Sequence, residues 1–383
     1  MRLRVRVSRA TSGDTFDGRR IGARSRGART DILVDETDMD EARAGVGQAR
    51  LTVRRRLCFG SWSREEGHVW GDQVSRLVFV GSVNADTIAV VPHVPGPDER
   101  LVAESIVYGG GGNSATAAVA AARLGGDAAF VGPVADDEQG ERIRADLARE
   151  GVDISGLVRV PAGCGSASVV LVDRSSGTRA ICVRPVPALD LRTSVRARDL
   201  VAGAAWVHAD HLGWAAIRGL VPTGCADGPG PRLSVDHGNP IAGFTPAGVD
   251  LYGPTVPGLR RAYGELSADD LVRRALDEGA RCVVATDGVD GAWAGVSGEP
   301  SVVHVPAFEV EVVSTLGAGD VFHGALLVAV DRGLDLPAAI RYASGAAALS
   351  CRGIDARSGI PTGAELDVWL GAHDRRVRRA ADQ

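Results

Sequence analysis

From Leu77 onward the chain alternates short apolar runs with helical stretches, and no other feature restricts its fold so tightly. Apolar strands are expected at 77–80, 128–131, 206–209, 232–236 and 282–286. Between and after them the pattern predicts helices at 113–124 (Ala-rich, closed by Gly125), 140–150 (amphipathic, stopped by Gly151), 269–278, 321–332 and 336–351. Segments 166–172 and 178–183 alternate in polarity around Arg174-Ser175-Ser176-Gly177, the signature of a β-hairpin. Alternating βαβ units imply an α/β protein with a parallel sheet covered on both faces. Its functional sites are expected at the carboxyl ends of the strands.

Composition narrows the class. The 383 residues, 45% of them hydrophobic, suffice for one large domain or two small ones. A net charge of −5 gives no reason to expect nucleic acid or an anionic membrane as partner. No lysine occurs anywhere, which excludes a Walker-type phosphate lysine and any Schiff-base mechanism. Catalysis of phosphoryl transfer would therefore rest on backbone, arginine and metal. The six cysteines are scattered without a Cys-x-x-Cys pair, as expected of small buried hydrophobes in a reducing compartment. With no apolar run of membrane-spanning length and no signal-peptide core, the expected location is the cytoplasm. Residues 1–75 are rich in Arg, Gly, Asp and Ser with little apolar periodicity, and read as a disordered or non-native extension with translation starting near Val74. The folded domain is expected over 76–372, with 373–383 as a tail.

Four motifs carry chemistry. Ser314-Thr315-Leu316-Gly317-Ala318-Gly319-Asp320 runs into an apolar helix. A helix N-terminus with glycines attracts an anion, and Asp320 there is either a helix cap or a base that takes a proton from a hydroxyl attacking a phosphoryl group. Asn84 and Asp86 follow the first strand and suit the vicinal hydroxyls of a sugar, or form an Asx turn. Gly109-Gly110-Gly111-Gly112-Asn113 precedes the Ala-rich helix and permits close approach of a ligand, with Asn113 able to cap the helix and bind a hydroxyl; a flexible hinge is the alternative. Thr286-Asp287-Gly288-Val289-Asp290-Gly291 ends a buried strand, as a phosphate-facing turn or a plain β-turn.

In this order the motifs resemble the ribokinase-like (PfkB) carbohydrate kinase family over about residues 77–371. Val321-Phe322-His323-Gly324-Ala325-Leu326, 339–344 and Ser358-Gly359-Ile360-Pro361 are also similar to that family. Gly111-Gly112 with 115–125 looks closest to its sulfofructose kinase branch, and Asn84-Ala85-Asp86 to ribokinase and fructokinases. The resemblance implies a three-layer, doubly wound, mainly parallel sheet with a small β-sheet lid from about 88–108 and 166–184, often a dimer interface. It implies ATP-dependent phosphorylation of a sugar hydroxymethyl group, with Asp320 as base and Gly317, Ala318 and Gly319 as anion hole. Asn84, Asp86, Gly110, Gly111 and Asn113 would hold the sugar. Thr286, Gly288, Gly291, Thr315 and Ser344 would lie along the nucleotide, and Mg²⁺ would accompany ATP. A sulfonated or phosphorylated sugar would need arginine, for which Arg184 is a candidate. The chain departs from the family at Ser314, where an acid near the monovalent-cation (K⁺) loop is usual. It departs again at 255–258, which lacks the Asn-x-x-Glu that helps organise Mg²⁺, and at Ser344, where Asn or His is common.

Overall fold

The computed structural model describes residues 21–25, 28–32, 75–176, 178–185, 188–221 and 230–381. Ile21–Ser25 and Ala28–Ile32 form an antiparallel hairpin in a unit of their own. The rest of the extension expected over 1–75 lies outside the described residues but for Ser75.

The larger unit is built on an eight-stranded sheet. From one edge its strands run Val303–Val305, Ala292–Val296, Cys282–Thr286, Leu251–Pro254, Arg232–His237, Trp206–Ala209, Arg76–Val80 and Asp127–Val131. The last six pair in parallel. Ala292–Val296 and Val303–Val305 pair antiparallel at one edge, the minority in a mainly parallel sheet. The reason is local. Gly288–Asp290 forms a single 3₁₀ turn after Thr286, too short for the crossover a parallel neighbour requires, so the chain returns antiparallel.

Central strands are apolar on both sides because both faces are covered. Along Arg76–Val80, Leu77 and Phe79 join one core cluster while Val78 and Val80 join the other. Fully burying a side chain such as Phe79 contributes roughly 2–3 kcal/mol. Helices Asn113–Arg123, Ala318–Asp331 and Leu336–Ser350 cover the first face. Val195–Ala202, His211–Ile217, Val256–Tyr263 and Ala268–Asp277 cover the second. The Ala-rich helix is buried over Ser114–Ala121, which small side chains allow. Helix Gly363–Ala381 continues through positions expected to form a tail.

A four-stranded sheet lies apart, ordered Arg179–Arg184, Ala167–Asp173, Asn84–Val91, Ser105–Gly111. The hairpin expected around residues 174–177 is its antiparallel outer pair. Asn84 and Asp86 sit on one of its strands, not in an Asx turn. Thr255 and Gly258, where the family's Asn-x-x-Glu would fall, serve as a helix start: the Thr255 hydroxyl accepts from Gly258 N at 3.0 Å.

Candidate active site

Two helix N-termini meet at the carboxyl ends of the parallel strands. Ala318–Asp331 begins after Gly317, which adopts φ 77°, a left-handed conformation that favours glycine. A Cβ there would also lie 2.7 Å from the Ala356 methyl. No side chain caps this helix, and the Asp320 carboxyl, expected as cap or base, turns away from the backbone. It accepts instead from Asn113 Nδ2 at 2.8 Å, the first residue of the Asn113–Arg123 helix. Asn113 Nδ2 also lies 3.4 Å from Asp236 Oδ2, and Asn239 Nδ2 donates to Asn113 Oδ1 at 3.2 Å. One carboxyl is thus held by an amide at the mouth of an open helix end. Of the three N–H groups expected to form the anion hole, that of Ala318 reaches back to Thr315 O at 3.3 Å.

Electrostatics sets the proton affinities. Burial, followed by the charge of Asp236, pushes the Asp320 carboxyl up to about 7. Burial alone would raise Asp236 as well, but His323, with Nε2 at 3.4 Å, holds it well below the usual carboxylate range. An acid that loses its proton near neutrality suits general base chemistry on an alcohol.

The other expected sugar ligands lie on the four-stranded sheet, where three of them line a cavity that neither Asn113 nor Asp320 lines. Asp86 is buried, accepts from Ser168 Oγ at 2.6 Å, and is raised by burial. Gly111 must be small because a Cβ would fall 2.0 Å from Asp86 Oδ2. Asn84, Asp86 and Gly110 line a cavity of about 120 Å³ together with Arg142, Asp146 and Arg357. Buried Arg357 donates to Gly111 O at 2.8 Å. Arg184 does not share the Asp86 row. Its register partner is Ala167, one residue off the Ser168–Asp86 row, and it donates to Gly165 O and to Oε1 of Gln139, which itself lines the cavity.

The expected nucleotide residues are more dispersed. Thr286, Gly288 and Gly291 form the turn between antiparallel strands, closed by Asp287 N donating to Gly291 O at 2.8 Å. Ser344 is buried inside the Leu336–Ser350 helix. Thr315 stands beside the open helix end and accepts from lid Arg179 Nη1 at 2.8 Å. The Ser314 hydroxyl accepts from Leu316 N at 3.2 Å, a turn contact in place of the usual acid.

Residues 74–225 and 245–363 match the family described as pfkB family carbohydrate kinase. The chain belongs to that family. This carbohydrate kinase is 27% identical over 308 residues to the ribokinase of Haemophilus influenzae, spanning 77% of its own length and 98% of that protein. It is 29% identical over 299 residues to an ATP-dependent ribose-1-phosphate kinase of Halopiger xanaduensis, with 77% and 98% covered. Among solved structures it is similar to a putative ribokinase from Agrobacterium tumefaciens, with a TM-score of 0.67, 26% identity, and 81% and 100% of the two chains covered.

Several residues that shape the kinase's site were not singled out in the sequence. Asp210 Oδ2 accepts from Ser82 N and Ser82 Oγ, each at 2.7 Å, and from Ser114 N at 3.2 Å; its Oδ1 accepts from Leu212 N and Gly213 N, each at 2.9 Å. Asp210 and Asp236 both stand at carboxyl ends of parallel strands, and the rule that sites gather there was the available signal. His323 and Arg179 gave no such signal, because their partners are remote in sequence.

Proposed function

We propose that this kinase transfers the γ-phosphoryl group of ATP to a primary hydroxyl of a ketohexose or related sugar, with Asp320 as the base. The observation that carries the reading is the Asp320 carboxyl, held by Asn113 at an uncapped helix end and ionising near neutrality. In-line attack needs a hydroxyl deprotonated next to a site for phosphate charge, and this arrangement offers both. The sugar would lie between Asn113 and lid residues Asn84 and Asp86, and lid closure would limit futile hydrolysis.

Curated relatives support the substrate class. They include ribokinases, and a fructokinase of Klebsiella pneumoniae that is 28% identical over 227 residues. An aminoimidazole riboside kinase of Salmonella typhimurium, 27% identical over 280 residues, favours a riboside as second reading. Among the described residues no cluster of His, Cys, Asp or Glu is fit to hold a metal, so Mg²⁺ would enter with the nucleotide and neutralise phosphate charge. A fold neighbour from E. coli was solved with ATP and Mg²⁺. We further read the enzyme as a homodimer through the lid, whose Ile106 and Tyr108 are 59% and 75% exposed. A cytoplasmic location fits the free thiols of Cys164, Cys182, Cys282 and Cys351. No helix of the described residues is long and apolar enough to cross a membrane.

Asp320→Asn is expected to lower kcat by at least a hundredfold on the order known for lost general bases. Sugar and ATP binding should survive. ADP release would be measured across ketoses, pentoses, sulfosugars and nucleosides, and full turnover in the variant would overturn the assignment.

A further inference from the structure

Behind Asp320 lies a set of buried groups that the reaction as described does not use. His323 follows Asp320 by one helical turn and is 7% exposed. Its ring rests against Gly253, where any Cβ would lie 2.3 Å from Cε1, so this strand position must be glycine for an imidazole to fit. On another side stands His208, fully buried, with ring centroids 5.6 Å apart. His208 Nδ1 meets Ser234 Oγ at 2.9 Å, and its Nε2 is buried with no hydrogen-bond partner. The Nε2 of His323 points to Asp236 Oδ1 at 3.4 Å, and Asp236 in turn reaches the amide of Asn113 that holds Asp320. The chain is therefore His323, Asp236, Asn113, Asp320, with His323 and Asp236 packed out of water and Asp320 partly exposed at its end.

Two carboxyls that share one amide nitrogen compete for charge. An ionised Asp236 disfavours ionisation of Asp320, which is the form a base requires. A cation on the far side of Asp236 relieves the conflict. His208 does not serve, since burial, and then its neighbour His323, push it down to about 4, leaving it neutral. Burial alone would lower His323 too, but the Asp236 carboxylate raises it above the ordinary histidine value.

We propose that His323 is a positioning residue of this kinase: it stands as an imidazolium against Asp236, cancels that carboxylate's charge, and so leaves Asp320 free to ionise as the base. The titratable groups facing the pair are Asp320 on its own helix, His208 and Asp210 from the Trp206–Ala209 strand and its end, and Asp236 from the neighbouring strand. Asp210 adds a further negative charge toward Asp320, while the His323 cation faces the carboxyls of Asp236 and Asp320.

The inference rests on Asp320 being the base, and its test does not depend on turnover. Carboxyl ¹³C NMR of the full chain would follow the Asp320 titration directly. In His323→Asn the midpoint should rise by about one pH unit or more, as expected for removing a unit charge a few ångström away at low effective dielectric. In His323→Asn/Asp236→Asn, where both charges are gone, it should return toward the native value. The acidic limb of kcat/KM should move with it, costing about tenfold at a pH one unit below the native midpoint. Histidine ¹⁵N NMR of the unmodified protein provides a check that needs no variant: His323 should be doubly protonated at pH 7, and His208 neutral. An unmoved Asp320 midpoint in His323→Asn, or a neutral His323 in the native protein at pH 7, overturns the proposal. If Asp320→Asn remains active, the assignment of the base fails instead, while the NMR result on His323 stands separately.

Discussion

The two helix N-termini at the site are built alike and finished differently. At Asn113–Arg123 the protein supplies its own acceptors. Asn113 N donates to Ser82 Oγ at 2.9 Å, Ser114 N to Asp210 Oδ2, and Ala115 N to Ser82 O at 3.2 Å. At Ala318–Asp331 the flanking residue is a left-handed glycine with no side chain to give, and the nearest carboxyl turns to Asn113. Both ends carry the same partial positive charge. The first is sealed and acts as a fixed wall that aims Asn113. The second has no side-chain acceptor, only its Ala318 N–H reaching back to Thr315 O, and an end left so is the condition for admitting an anion.

Breaking the sealed end should cost the most stability. Asp210→Asn removes a charge from a carboxyl that accepts five hydrogen bonds, and unfolding free energy is expected to fall by about 3 kcal/mol in calorimetry or denaturant titration. A loss under about 0.5 kcal/mol would show that the seal contributes little. At the open end, Gly317→Ala forces a side chain into left-handed backbone against Ala356. It should cost roughly 1–2 kcal/mol and lower kcat more than the sugar KM, since the loop proposed to face phosphate is displaced. Gly319→Ala sharpens the contrast, because nothing lies within 4 Å of its added Cβ. Its melting temperature should hold or rise slightly, given alanine's better helix propensity. Any effect must appear in nucleotide kinetics, and none at all would argue against close approach of phosphate at that position.

Much of the fold could be read from periodicity. Strands such as Trp206–Ala209 and Cys282–Thr286 and the Ala-rich helix came through because apolar residues and glycine stops coincide there. The strand Leu251–Pro254 and the short helix His211–Ile217 did not, being brief and without strong flanking turns. In the site, Asp320 and Asn113 stood beside glycine runs that drew attention to them, and Asp86 followed directly after the first strand. Asp236 and His323 are joined only through contacts 87 residues apart in sequence, and no local pattern encodes a contact of that kind. The surroundings of Arg184 were not legible for a simpler reason: in a strand the side chain's face depends on register, and a shift of one residue reverses it.

The hydrogen bond from Arg179 to Thr315 spans the lid's outermost strand and the loop that opens onto Gly317. An outward swing of that strand by a few ångström would break it and withdraw a guanidinium from the edge of the loop that leads into the Ala318–Asp331 helix. Under the proposed function, admission of the acceptor and readiness of the donor side would then share one mechanical coordinate. An enzyme wired this way would keep the two ends of the transfer in step without any signal passing through its core.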